Sequence, residues 1–128
     1  MALKDTLKVM IIDDMAVSRE LLIQSVEEMG IFNVDYEKSA DKAFPRLSAN
    51  PVHLVISDHH MPGMSGLDLL ENLRMNQTTR SIGFILVTGT PDQEILERGQ
   101  RLGLNNLIKK PFTTQSLKSA VEAVVGRL

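Results

Sequence analysis

Five polar residues stand where they could act together on a charged group. Asp13 and Asp14 follow the apolar run Val9-Met10-Ile11-Ile12, and Asp58 follows Leu54-Val55-Ile56-Ser57. Thr88 ends Phe84-Ile85-Leu86-Val87, and Lys110 lies just past Leu107-Ile108. Three carboxylates brought close together repel, and like charges raise one another's pKa. A divalent cation removes that penalty. All-oxygen ligation with few protein donors and retained waters suits Mg²⁺, which also pairs with phosphate oxygens. A carboxylate is a weak nucleophile, yet it can take a phosphoryl group to give an aspartyl phosphate. The metal and the Lys110 ammonium would offset charge on the phosphoryl oxygens, and the Thr88 hydroxyl could donate a hydrogen bond to one of them.

These groups meet only if the chain carries them to one edge. Short β-rich runs alternate with segments of helical spacing, in five β-α units, the second strand being Val34-Asp35-Tyr36. Strands one, three and four are near-continuous apolar runs, the mark of strands buried on both faces of a parallel sheet. Right-handed crossovers then put helices on both faces. The expectation is an α/β fold: a doubly wound, five-stranded parallel sheet in the order 2-1-3-4-5. Ligands bind beyond the carboxyl ends of such strands, where the strand order reverses. The first and third strands are then neighbours, and the five polar groups converge.

The helices have their own signals. Leu117, Ala120, Val121, Val124, Val125 and Leu128 form one apolar stripe, and Leu67, Leu70 and Leu73 form another after the turn Pro62-Gly63 and a Ser65 cap. The segment 16–29 carries Leu22, Val26 and Met29 on one face, and Gly30 stops it. Thr90-Pro91 reads as an N-cap followed by proline at the first helical position. Pro45 conflicts with a second helix over 40–49, because interior proline costs about 3 kcal/mol. That helix is either kinked at Pro45 or short and started near it.

Composition narrows the classes. A chain of 128 residues fits one domain, expected over 1–128 with no output domain and as a monomer. The absence of cysteine suits a reducing cytoplasm. No run approaches the roughly 18 apolar residues of a membrane span. The formal net charge of −2 arises from mixed signs, so neither a nucleic-acid footprint nor an acidic tail is indicated.

Other chemistries fit less well. His59-His60 invites a transition-metal site, but adjacent strand-end histidines diverge and His53 precedes the third strand. A haloacid-dehalogenase-type phosphohydrolase needs a second acid two residues after its nucleophile; Met15 and His60 occupy those positions. A flavodoxin-like carrier wants a Ser/Thr-rich phosphate loop and stacking aromatics. Asp13-Asp14 would repel the flavin phosphate, and aromatics are only 4% of the chain. The seven methionines read as gap-fillers.

The ordered set Ile11-Ile12-Asp13-Asp14, Ile56-Ser57-Asp58, Met61-Pro62-Gly63-Met64-Ser65-Gly66, Val87-Thr88-Gly89 and Lys109-Lys110-Pro111-Phe112 resembles the CheY-like receiver domains of two-component response regulators. The resemblance covers essentially the whole chain. It implies that Asp58 accepts a phosphoryl group and that Asp14 ligates Mg²⁺ directly. Asp13 would act mainly through water, and the His60 backbone carbonyl would add a ligand. Thr88 would be the switch hydroxyl and Lys110 the salt-bridging lysine. The implied partners are a sensor histidine kinase or histidine phosphotransfer protein, with a flagellar motor switch as one candidate target. The implied protein catalyses only its own phosphorylation and dephosphorylation. It would serve as messenger, phosphoryl sink or relay. Where many receivers carry an aromatic residue three positions before the lysine, this chain has Leu107.

Overall fold

The computed structural model describes residues 2–128. After a short 3₁₀ turn (Leu3–Asp5), strands and helices alternate. They are β1 (Val9–Ile12), α1 (Ala16–Glu28), β2 (Val34–Glu37), α2 (Ala40–Ala49), β3 (Leu54–Asp58) and α3 (Gly66–Met75), followed by β4 (Gly83–Thr88), α4 (Gln93–Arg101), β5 (Asn106–Lys109) and α5 (Thr114–Val125). The sheet is parallel throughout and runs β2-β1-β3-β4-β5, as expected from the sequence.

Side chains of each central strand alternate between two buried layers. Val9, Ile11, Leu54, Ile56, Ile85 and Val87 face one layer, with Leu22 and Val26 of α1 and Leu117 and Val121 of α5. Met10, Ile12, Val55, Phe84 and Leu86 face the other, against Leu47 of α2, Leu69, Leu70 and Leu73 of α3 and Ile95 of α4. Every residue of β1, β3 and β4 is buried, which is why those strands read as unbroken apolar runs.

Local chemistry sets the helix starts. Ser39 accepts from the Lys42 amide, and Ser65 forms a capping box with Asp68. α2 runs from Ala40 through Pro45 to Ala49, so the reading of a short helix begun near Pro45 is corrected. Its ring is exposed, and the missing amide costs only the bond to the Asp41 carbonyl one turn back. The cap read at Thr90-Pro91 is also corrected. α4 begins at Gln93, and Asp92 is its cap, accepting from the Ile95 amide at 2.9 Å. The Thr90 hydroxyl is engaged elsewhere, 3.0 Å from His60 Nε2.

The amino ends of β4 and β5 are tied by Arg74, on α3. Its Nε donates to the Leu102 carbonyl, Nη1 to those of Arg80 and Ile82, and Nη2 to the Gly103 carbonyl and Asn105 Oδ1, at 2.8–3.2 Å. The five bonds engage all three guanidinium nitrogens. Burial lowers the pKa of this guanidinium below its ordinary value.

Candidate functional site

The strand register brings the predicted residues to one edge. Ile12 pairs with Ser57 and Asp58 with Val87, so Asp13 lies beside Asp58 where β1 and β3 end. Thr88 pairs with Lys109, and the Lys110 amide donates to the Thr88 carbonyl at 2.9 Å. This is the switch point of the sheet, since the chain leaves β1 toward β2 on one side and later returns to β3 on the other.

Asp13, Asp14 and Asp58 each offer an oxygen, and the three atoms lie within 4.8 Å of one another. Asp13 is fully buried, Asp58 is 5% exposed and Asp14 is open to solvent. Lys110 Nζ stands 3.2 Å from Asp58 Oδ1 and 3.8 Å from Asp13 Oδ2. The Asp58 carboxyl is held above the ordinary aspartate range, first by burial and then by neighbouring Asp13. The Lys110 charge is the main opposing influence. Burial thus outranks the like-charge repulsion that sequence reasoning put first.

One atom bears on what the cluster can hold. Asp13 Oδ1 accepts from the Met15 amide at 3.0 Å, but Asp13 Oδ2 is buried without a hydrogen-bond partner. A buried carboxylate oxygen that makes no hydrogen bond and has only an ammonium at 3.8 Å is costly. Beside two further carboxylates it fits a hard cation with oxygen ligands, so the residues present suit Mg²⁺. Among the described residues no other group of three or more histidines and acids stands so close, and His59 and His60 join none.

Thr88 is buried at the end of β4, and its Oγ1 accepts from the Thr90 amide at 3.2 Å. His60 and Thr90, both exposed, meet across the rim. The expected divergence of the two histidines is corrected: the His59 and His60 rings stand edge to face with centroids 4.9 Å apart, and both line a small cavity with Leu67, Asp92 and Arg98. Burial, followed by the charges of His60 and Arg98, lowers the His59 pKa.

Two contributors were not singled out from the sequence. Ser18 Oγ accepts from Lys110 Nζ at 3.1 Å, joining residues 92 apart in the chain. Gly66 packs so tightly on the end of β3 that a Cβ there would stand 2.5 Å from the Asp58 carbonyl oxygen. Its amide donates to the His59 carbonyl at 3.0 Å. The glycine had a signal in the Ser65-Gly66 pair, whereas nothing local marks Ser18.

A family model described as the response regulator receiver domain matches residues 9–122. The chain is 36% identical over 128 residues to a probable chemotaxis protein CheY of Rhizobium etli, covering 100% of this chain and 99% of that one. It is 29% identical over 126 residues to chemotaxis protein CheY-3 of Vibrio cholerae, covering 98% and 97%. Among solved structures it is similar to a putative response regulator from Chloroflexus aurantiacus, with a TM-score of 0.86 and 25% identity over 94% of this chain and 98% of that one. A second is the receiver domain of a sensor histidine kinase from Pseudomonas aeruginosa, solved with a magnesium ion coordinated in its active site cleft. There the TM-score is 0.84, with 17% identity over 94% and 98%. The chain belongs to the response regulator receiver domain family. It is a CheY-like receiver of two-component signalling, a signalling protein rather than a conventional enzyme. Receiver domains generally bind Mg²⁺ and interact with histidine kinases or phosphotransfer proteins. No helix among the described residues is long and apolar enough to cross a membrane.

Proposed function

We propose that this receiver takes a phosphoryl group on Asp58 from a phosphohistidine carrier. Mg²⁺ would be held by Asp13, Asp14, Asp58 and the His60 carbonyl. The observation that carries the reading is the surroundings of Asp58. It is a buried carboxylate 3.2 Å from an ammonium, in reach of two further acids, one of which has a buried oxygen with no hydrogen-bond partner. In the transfer the phosphorus–nitrogen bond of the donor imidazole breaks, an Asp58 oxygen forms the new bond to phosphorus, and the imidazole nitrogen takes a proton. The cation, when bound, offsets charge on the phosphoryl oxygens. Lys110 presents its ammonium to the same oxygens, with Ser18 fixing its reach. The Thr88 hydroxyl accepts from the Thr90 amide and keeps its own proton to donate to a phosphoryl oxygen, which suits it to be the switch hydroxyl.

The apolar rim beside Lys110 supports a protein as the donor. Met15, Val17 and Leu21 are 62%, 74% and 53% exposed, and with Phe112 they border a groove of about 610 Å³. His60 and Thr90 meet at the opposite rim, where their identities would affect how long the phosphoryl group survives attack by water.

A second reading, phosphoryl sink rather than messenger, rests on Leu107. It is only partly buried against the layer containing Leu86 and Ile95. Swapping leucine rotamers redistributes less apolar area than burying a ring, so phosphorylation biases this face weakly. Labelling by acetyl phosphate with Mg²⁺ tests the main reading. Asp58→Asn abolishes base-labile label, and undiminished label in that variant would remove Asp58 from its role.

A further inference from the structure

One buried cation has no part in the transfer described above. Arg19, in the second turn of α1, is 8% exposed, and none of the ion pairs among the described residues includes it. Its Nη1 donates to the Asp13 carbonyl at 3.0 Å. Its guanidinium carbon lies 5.1 Å from the centroid of the Tyr36 ring on β2. Its Nε has no hydrogen-bond partner. Burying a guanidinium with so little compensation is expensive, and the Tyr36 face offsets part of that cost.

The carbonyl it holds belongs to the peptide joining Asp13 to Asp14. On the other side of Asp13, its amide donates to the Glu37 carbonyl at 3.2 Å. β2 therefore fixes the peptide entering Asp13, and Arg19 fixes the one leaving it. The two acids lie on a turn that the Asp13 side chain closes by accepting from the Met15 amide, while Met15, the N-cap of α1, adds no side-chain bond. The orientation of the Asp13–Asp14 peptide decides where both carboxylates point.

We propose that Arg19, seated under the ring of Tyr36, is a positioning residue that aims the Asp13 and Asp14 carboxylates at the cation. The inference rests on the Mg²⁺ reading given above. Charge alone argues the opposite effect: a fixed positive charge beside a cation site repels the cation. Removing it would tighten binding if geometry played no part. The two contributions therefore differ in sign, and the sign is measurable.

The experiment is Mg²⁺ titration by calorimetry, together with amide exchange of the metal-free protein. The proteins compared are wild type, Arg19→Met, Arg19→Lys, Tyr36→Leu, Tyr36→Phe and Asp14→Ala. Arg19→Met weakens Mg²⁺ binding about tenfold, the low end of the loss seen when a group orienting a metal ligand is removed. Arg19→Lys keeps the charge but loses the planar face that stacks on the ring, and it weakens binding too. Tyr36→Leu loses affinity in the same direction, and Tyr36→Phe retains it. In metal-free Arg19→Met the Met15 amide, bonded to Asp13 Oδ1, loses exchange protection while the amides of β1 and β3 keep theirs.

Unchanged or tighter Mg²⁺ binding in Arg19→Met, or full affinity in Arg19→Lys combined with loss in Arg19→Met, overturns the positioning role. If Asp14→Ala binds Mg²⁺ as wild type does, the metal reading fails instead. The positioning role is then decided by the Met15 amide alone, and unchanged protection overturns it. Should Arg19→Met fail to fold, Arg19→Lys and Tyr36→Leu carry both measurements.

Discussion

Replacing Gly66 with alanine asks how tightly the phosphoryl site is held from below. A Cβ at this position would stand 2.5 Å from the Asp58 carbonyl oxygen, 2.7 Å from Leu86 Cδ1 and 3.0 Å from His59 Cα. The leucine methyl can turn aside. The two backbone atoms are held, because Asp58 pairs with Val87 of β4 and the His59 amide donates to the Val87 carbonyl at 3.2 Å. Forcing an added carbon into such packing costs about 1–3 kcal/mol. Against this, exchanging glycine for alanine restricts the unfolded chain and returns about 0.4–1 kcal/mol. The clash wins, with a net loss of about 1–2 kcal/mol, or about 4–8 °C in Tm for a domain of this size. Because the displaced atoms belong to Asp58 and His59, acetyl phosphate labelling slows as well. Gly89→Ala is the matched control: no atom lies within 4 Å of its added Cβ, so its stability stays within about 0.5 kcal/mol of wild type. Thermal unfolding by circular dichroism, paired with labelling rates, measures both. A Gly66→Ala protein as stable and as quickly labelled as Gly89→Ala would refute the argument that this contact fixes the end of β3.

Three further outcomes are expected. Burial raises the Asp58 pKa, so the native state binds a proton more readily than the unfolded chain, and stability from this group falls as pH climbs from the ordinary 3.8 through the raised native value. Asp58→Asn should therefore raise the Tm of the metal-free protein at pH 7 and lose that advantage below pH 3.8; a less stable variant at pH 7 would mean that pairing with Lys110 outweighs burial. Arg74→Lys leaves three rotatable donors for five acceptors, at a cost of about 2 kcal/mol or more in urea unfolding, and a change below about 0.5 kcal/mol would contradict the clamp. Amide exchange with and without Mg²⁺–beryllofluoride should show changes around Asp58 that exceed those across residues 93–107, and equal changes would show that Leu107 transmits the switch as well as an aromatic residue.

Much of this was legible in the sequence because the strands are buried on both faces. Val9-Met10-Ile11-Ile12 and Phe84-Ile85-Leu86-Val87 advertise themselves, and a strand's last polar residue then falls at the sheet edge by register. Asp13, Asp58, Thr88 and Lys110 were found that way. The start of α4 was misread because Thr90 and Asp92 are both competent caps, and only the contact between Thr90 and His60 separates them. Ser18, Arg19 and Arg74 left no local signal. Each acts through a partner that the fold brings near, such as Lys110 for Ser18 or the Gly103 carbonyl for Arg74. A polar residue on a helix looks the same in sequence whether it is solvated or committed.

The Arg74 clamp also divides the molecule by what can disturb it. At the carboxyl ends of the strands the groups are acids, a lysine and histidines, so that end answers to protons, cations and ionic strength. At the amino ends the guanidinium meets only carbonyl and amide oxygens, none of which titrates near neutrality. No carboxylate there competes for it, and salt has little to screen. The sheet thus has a chemically responsive end and, where β4 and β5 begin, an inert corner, whereas before β1 and β3 a histidine ring, His53, accepts from the Lys8 amide. A signal written at the responsive end leaves the inert corner as a fixed reference against which movement of the α4 and β5 face is defined.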